Sequence, residues 1–206
     1  ESNVGAHAVY AERLANMVKL WRGLWGQGEL PFYFVEIAPF GYGNGLSPYL
    51  REAQCRAQKL IPGSGMVSTN DLVLPCEEGN IHPRDKRSVG RRLAFWALNR
   101  TYGRKDVACE NMQFRSMEIK DGKACLSFDN TFGGFGRAFD LRGFEICGAD
   151  RVFRPAQVHF EGNERLIVFL PDIPEPVAVR YGFRDFQPGN VVNTRELPLV
   201  PFRTDD

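Results

Sequence analysis

In the first hundred residues, a hydrophobic pattern typical of helices alternates with one typical of buried strands. Between residues 10 and 25, apolar side chains recur every three or four positions, which predicts an amphipathic helix with one buried face. The following run, 31–38, is rich in aromatic and β-branched residues and is apolar on both faces apart from Glu36, as is typical of a buried parallel strand. A second helix from Ser47 and a second strand over 66–69 follow. This order predicts a doubly wound α/β domain.

A third helix is predicted after the loop 70–81. Pro83 suits the first position of a helix, and Val89, Leu93 and Trp96 continue at helical spacing towards Gly103. His82 would then be the N-cap, at the positive end of the helix dipole. That position disfavours the imidazolium ion, so His82 is predicted to be a neutral imidazole that can accept a proton.

Beyond Gly103 the hydrophobic period changes from 3.6 to 2. Asp121-Gly122 lies between two alternating segments and predicts a tight β-hairpin, and Gly162-Asn163 predicts another. Further strands are expected around Phe144 and over 178–181. The sequence thus predicts a partial α/β domain over 1–103 and a β-sandwich domain over 104–206.

Composition narrows the possible functions. The 206 residues include 26 basic and 25 acidic side chains without a basic stripe, so nucleic acid is not an expected partner. No apolar run is long enough for a membrane span. Five cysteines lie too far apart for a CxxC metal site, and no metal or other cofactor is predicted. Because the sequence begins with Glu1 and not with an initiator methionine, the chain is expected to start inside a longer protein.

Eight short blocks of sequence lie in order over nearly the whole chain. They are 1–5 (ESNVG), 32–39 (FYFVEIAP), 50–54 (LREAQ), 65–72 (GMVSTNDL), 80–86 (NIHPRDK), 143–146 (GFEI), 178–182 (AVRYG) and 201–205 (PFRTD). Together these blocks resemble the sialate O-acetylesterases, which are carbohydrate esterases of the SGNH hydrolase kind. Their shared order makes the resemblance more specific than a single motif.

The resemblance implies hydrolysis of acetyl esters on sugars, chiefly O-acetyl sialic acid, by a serine nucleophile with His82 as its base. It implies that residues 1–103 are the C-terminal half of an SGNH, flavodoxin-like three-layer α/β/α domain, followed by the β-sandwich. It also implies a secreted, periplasmic or lysosomal protein, although the chain itself does not indicate a compartment.

Two departures from the family pattern concern the catalytic groups. No Gly-Gln-Ser-Asn turn occurs, so the nucleophile is expected in an N-terminal half that precedes Glu1; Glu1 and Asn3 would be the tail of a truncated motif near the oxyanion region. Gly79 stands where many such hydrolases carry the acid partner of the histidine. Asp71 is ranked first as that partner, while a Ser-His dyad or a backbone carbonyl is equally admissible. The other candidate partners are Glu77, Glu78 and the side chain of Asn80.

Arg51 and Arg84 are candidate ligands for a substrate carboxylate, because arginine binds carboxylates bidentately. Three functions are left open: an esterase of acetylated sialic acid, an esterase of another acetylated glycan such as xylan, and a non-catalytic carbohydrate-binding fragment. If half of the α/β domain lies elsewhere, the sheet should leave an unpaired strand edge or an exposed apolar patch.

Overall fold

The computed structural model describes residues 1–136 and 140–205. The chain forms two compact units: unit 1 comprises Glu1–Glu110 with Arg184–Phe186, and unit 2 comprises Asn111–Phe183 with Gln187–Asp206. The helices of unit 1 are α1 (His7–Trp25), α2 (Ser47–Leu60) and α3 (Lys86–Trp96), and its strands are β1 (Phe32–Val35) and β2 (Ser64–Val67). The strands of unit 2 are β3 (Gln113–Lys120), β4 (Lys123–Asp129), β5 (Phe144–Cys147), β6 (Arg154–Pro155), β7 (Gln157–Glu161), β8 (Arg165–Phe169), β9 (Ala178–Tyr181) and β10 (Phe202–Arg203).

Unit 1 is built on a two-stranded parallel sheet with helices packed against it. Phe32 pairs with Ser64 and Val35 with Val67, so β1 and β2 end at the same edge. The predicted order of helices and strands is confirmed, and the structure is a mixed α/β fold. Among the described residues, β1 and β2 pair only with each other, so each has one unpaired edge. This agrees with the expectation of an unpaired strand edge.

The surface of α1 differs from the prediction. Ala11 and Val18 pack against Ala57 of α2 and against Ile61, which follows α2. Leu24 and Trp25 of the predicted buried face are instead 75 % and 62 % exposed. Short side chains fill the contact with α2, and the large ones towards the C-terminal end of α1 form an exposed apolar patch, together with Leu20 and Trp21.

The third helix begins later than the sequence pattern predicted. It starts at Lys86, and Asp85, rather than His82, is the N-cap: the Asp85 carboxylate accepts a hydrogen bond from the Ser88 amide at 2.9 Å. Aspartate is a strong N-cap because its oxygen satisfies an otherwise unpaired amide of the first turn. His82 therefore lies in the preceding loop, and the prediction that it caps the helix is wrong.

Unit 2 contains two four-stranded sheets that share one hydrophobic core. Both predicted hairpins are confirmed, and Asp121, Gly122 and Gly162 have the positive φ angles that such turns need. The sheet orders are β3-β4-β8-β7 and β10-β9-β5-β6. Leu126 and Val168 of the first sheet and Ile146 and Tyr181 of the second belong to the same buried cluster.

No helix in the described part of the chain has the length and apolar character to cross a membrane. All five cysteines are free thiols, of which Cys109, Cys125 and Cys147 are buried.

Candidate active site

A cleft of about 460 Å³ opens in unit 1 where β1 and β2 end. Its walls include Ile37 and Ala38, which follow β1, and Thr69, which follows β2. His82 lines the same cleft, together with Glu1. The carboxyl ends of parallel strands are the usual location of ligand sites in α/β sheets, so the sequence-predicted base lies where a substrate would be expected.

Glu77 holds together the loop that carries His82. One carboxylate oxygen accepts a hydrogen bond from the Leu74 amide and the other from the Arg84 amide, each at 3.0 Å. The carboxylate is almost completely buried. The hydrogen bonds from Leu74 and Arg84 lower the pKa of Glu77, because they stabilise its ionised form. Glu77 therefore joins the two ends of the loop rather than contacting the imidazole.

Asp71 is bound by a different partner from the one predicted. Its two oxygens accept hydrogen bonds from the Arg92 guanidinium at 2.8 and 2.6 Å, and both side chains are nearly buried. Arg92 also donates to the carbonyl of Ser68. The predicted contact between Asp71 and His82 does not form, because a fork of two guanidinium N–H groups fits a carboxylate better than one imidazole N–H does.

The other candidate partners do not contact the imidazole either. The Asn80 side chain accepts a hydrogen bond from the backbone amide of His82 at 3.0 Å, which fixes the backbone rather than the ring. Glu78 is exposed, and its carbonyl accepts from Gly41. Within residues 1–136 and 140–205, the His82 ring makes no hydrogen bond.

Of the two candidate substrate-binding arginines, only Arg84 is at the surface. Its side chain is 82 % exposed, with Nε 3.8 Å from the Glu77 carboxylate. Arg51 is 1 % exposed and donates a hydrogen bond to the carbonyl of Arg184 at 2.5 Å. Neither arginine is among the residues that line the cleft, and their role as carboxylate ligands stays a prediction.

The two candidate residues at the start of the chain, Glu1 and Asn3, differ in their relation to the cleft. Glu1 lines it, whereas Asn3 is exposed and precedes a short 3₁₀ turn, with its carbonyl accepting from the Ala6 amide. Glu1 and His82 thus line the same cleft, whereas Asn3 is not part of its lining.

Glu36 is the residue that the sequence reasoning did not select. It is 1 % exposed, follows β1 directly and lines the cleft. Its Oε2 accepts a 2.6 Å hydrogen bond from the Ser68 hydroxyl. Burial raises its pKa to about 7, although the nearby Arg51 guanidinium and the Ser68 hydrogen bond oppose this shift. The available signal was its position as the only charged residue in an otherwise apolar strand.

The comparisons with known proteins agree with the resemblance noted in the sequence. No family model matches the chain. The sialate O-acetylesterases of Mus musculus and Rattus norvegicus are each 28 % identical to it over 221 residues, covering 94 % of this chain and 40 % of theirs. The crystal structure of a carbohydrate acetylesterase from Xanthomonas citri has a TM-score of 0.83 and 35 % identity, covering 95 % of this chain and 46 % of that one. These similarities support a sialate O-acetylesterase-like family of carbohydrate esterases.

The chain spans two fifths of the length of the curated relatives that it matches. An ester hydrolase of the serine type needs a nucleophile, a base and donors for the oxyanion. The cleft offers one candidate base, His82, and three acidic residues, Glu1, Glu36 and Asp85. No group of three histidine, cysteine or acidic side chains suited to a metal ion occurs in the part of the chain that the structure describes.

Proposed function

We propose that the chain is part of a carbohydrate O-acetylesterase in which His82 acts as the base. The observation that carries the proposal is the position of His82 in a cleft at the ends of two parallel strands, within a chain similar to carbohydrate acetylesterases. His82 would take the proton of a serine hydroxyl as that oxygen attacks the acetyl carbonyl, and would return it to the departing sugar oxygen. Water would then release the acetyl group as acetate.

The proposed nucleophile lies in an N-terminal half that precedes Glu1. In this proposal, residues 1–103 are the C-terminal half of an SGNH, flavodoxin-like three-layer α/β/α domain. Residues 104–206 form the β-sandwich domain that follows it. The two-stranded sheet and the exposed apolar patch on α1 support a partner on unit 1, because surfaces of this kind usually mark interfaces. The shared core of the two sheets in unit 2 supports the sandwich.

We also propose sialic acid as the acetylated sugar, because the mouse and rat relatives are named sialate O-acetylesterases. The alternative is an acetyl ester on another glycan such as xylan, which the similarity to the Xanthomonas citri carbohydrate acetylesterase keeps open.

The test is acetate release by the longest natural form of the protein that contains this chain. O-acetylated sialic acid and acetylated xylan are supplied as separate substrates, with the same protein after heat denaturation as the blank. Faster release from sialic acid supports the sialate assignment, and faster release from xylan replaces it with the alternative. Binding of either sugar without acetate release would contradict the esterase and leave a carbohydrate-binding protein.

A further inference from the structure

The carboxyl group of Glu36 is only half satisfied by the protein. Its Oε2 accepts from Ser68, but its Oε1 is buried and has no hydrogen-bond partner among the described residues. Buried polar atoms are nearly always paired in folded proteins, so an unpaired carboxyl oxygen beside a cleft calls for a partner. Glu36 itself lines that cleft.

The surroundings of Glu36 explain why this acid is tolerated inside the fold. The positive charge of Arg51 on α2 opposes the effect of burial on the pKa of Glu36, and Asp71 beyond β2 adds a weaker repulsion. Arg51 donates a hydrogen bond to the backbone carbonyl of Arg184, and Asp71 accepts one from the Arg92 guanidinium. The protein therefore supplies charge compensation to Glu36 without closing off its second oxygen.

We propose that Glu36 is a ligand-binding residue of the cleft, whose Oε1 forms a hydrogen bond with a hydroxyl group of the carbohydrate. This inference rests on the proposed function for the class of ligand. A hydroxyl group is both donor and acceptor, so it can donate to the ionised carboxylate and accept from the protonated acid. An ammonium group could pair only with the ionised form, and a ligand carboxylate only with the protonated one.

This flexibility matters because the Glu36 carboxyl titrates within the physiological range. Burial raises its pKa to about 7, so both forms are present there. A hydrogen bond to an ionised acceptor is stronger than one to a neutral acid. The hydroxyl group should therefore bind more tightly as the pH rises through 7.

The experiment compares the wild-type protein with Glu36→Gln, Glu36→Leu and Ser68→Ala, in the longest natural form that contains this chain. KM and kcat for the acetylated sugar are measured at pH 6 and pH 8. Leucine removes the hydrogen bond, so KM should rise about tenfold while kcat changes less. The wild-type KM should fall about threefold to tenfold from pH 6 to pH 8. Glutamine keeps an acceptor without titrating, so the KM of Glu36→Gln should be independent of pH.

Ser68→Ala is the matched control, because it removes the partner of Oε2 and leaves Oε1 in place. An unchanged KM in Glu36→Leu, or an equal rise in Ser68→Ala, would overturn the proposal. A second measurement separates it from the esterase assignment: the ¹³Cδ resonance of Glu36 is followed while the deacetylated sugar is added. A shift without acetate release would support Glu36 and contradict the esterase. Acetate release with no shift and no effect on KM would contradict Glu36 alone.

Discussion

Asp71, in the loop after β2, and Arg92 in α3 form a bidentate ion pair, with oxygen to nitrogen distances of 2.8 and 2.6 Å. Both side chains are nearly buried. Through this ion pair, Asp71 stabilises the fold of unit 1. Removal of one partner from a buried ion pair leaves the other charge uncompensated, which is more costly than loss of the hydrogen bonds alone.

Asp71→Asn is accordingly expected to lower the free energy of unfolding by about 3 kcal/mol. The measurement is equilibrium denaturation in urea. Asp106→Asn is the control, because Asp106 forms a comparable pair with Arg104 that is exposed to solvent. The control should change stability by well under about 1 kcal/mol. Equal changes in the free energy of unfolding would show that the buried Asp71–Arg92 pair contributes no more to stability than the exposed Asp106–Arg104 pair.

Glu77→Gln is expected to loosen the His82 loop. The glutamine side chain has one carbonyl oxygen in place of the two that accept from Leu74 and Arg84, so one of these amides loses its partner. Hydrogen exchange at the amides of residues 74 and 84 should become faster. Glu78→Gln, at the exposed neighbouring position, should leave exchange at both amides unchanged. Unaltered protection in Glu77→Gln would mean that other contacts order the loop.

The burial of Glu36 should make stability depend on pH. Its pKa is raised in the folded state to about 7 from an ordinary value of 4.5, so the folded protein binds the proton more tightly than the unfolded chain does. This contribution to stability is complete below pH 4.5 and is lost as the pH rises through 7. The loss is roughly 3 kcal/mol, from about 1.4 kcal/mol per pKa unit.

Glu36→Gln should remove that dependence. Denaturation midpoints of the wild type and the variant are compared from pH 4.5 to pH 8, and the stability of the variant relative to the wild type should increase over this range. A constant difference between the two proteins would place the pKa of Glu36 near its ordinary value.

Gly65 and Trp96 give a steric prediction. A Cβ atom on Gly65 in β2 would lie 2.3 Å from the Trp96 ring, which is buried and donates from its indole nitrogen to the Met66 carbonyl. Gly65→Ala should therefore lower stability by about 1–3 kcal/mol. Gly90→Ala in α3, where no atom lies within 4 Å, is the matched control and should be neutral or stabilising. Equal stability of Gly65→Ala and the wild type would contradict the close packing of β2 against Trp96.

Local sequence signals predicted the elements of the fold well where one residue type decides the geometry. Asp121-Gly122 and Gly162 locate their hairpins because few other residues adopt positive φ angles. The start of α3 was predicted too early because Pro83 and Asp85 both carry helix-start signals. The Asp85 side chain accepts a hydrogen bond from the first turn of α3. The Arg84 amide instead donates to Glu77, seven residues earlier in the sequence, so the chain at Pro83 and Arg84 belongs to the loop.

Long-range contacts account for what the sequence did not reveal at the site. Periodicity cannot show that Arg92, twenty-one residues beyond Asp71, takes its carboxylate, or that Arg51 is buried against Arg184. The position of His82 beside the ends of β1 and β2 was predictable, because a loop that follows a parallel strand opens onto that edge. Glu36 was visible as a charge in an apolar run, but its unpaired oxygen emerges only from the packing around it.

Acetate release by His82→Ala tests most directly whether His82 is the base of a carbohydrate acetylesterase. His159→Ala is the control, because His159 is an exposed residue of β7 in unit 2. Both variants are made in the longest natural form that contains this chain, and folding is checked by circular dichroism. We expect His82→Ala to lower kcat by a factor on the order of 10⁴, and His159→Ala to retain the wild-type rate. Wild-type kcat in a folded His82→Ala protein would contradict the account.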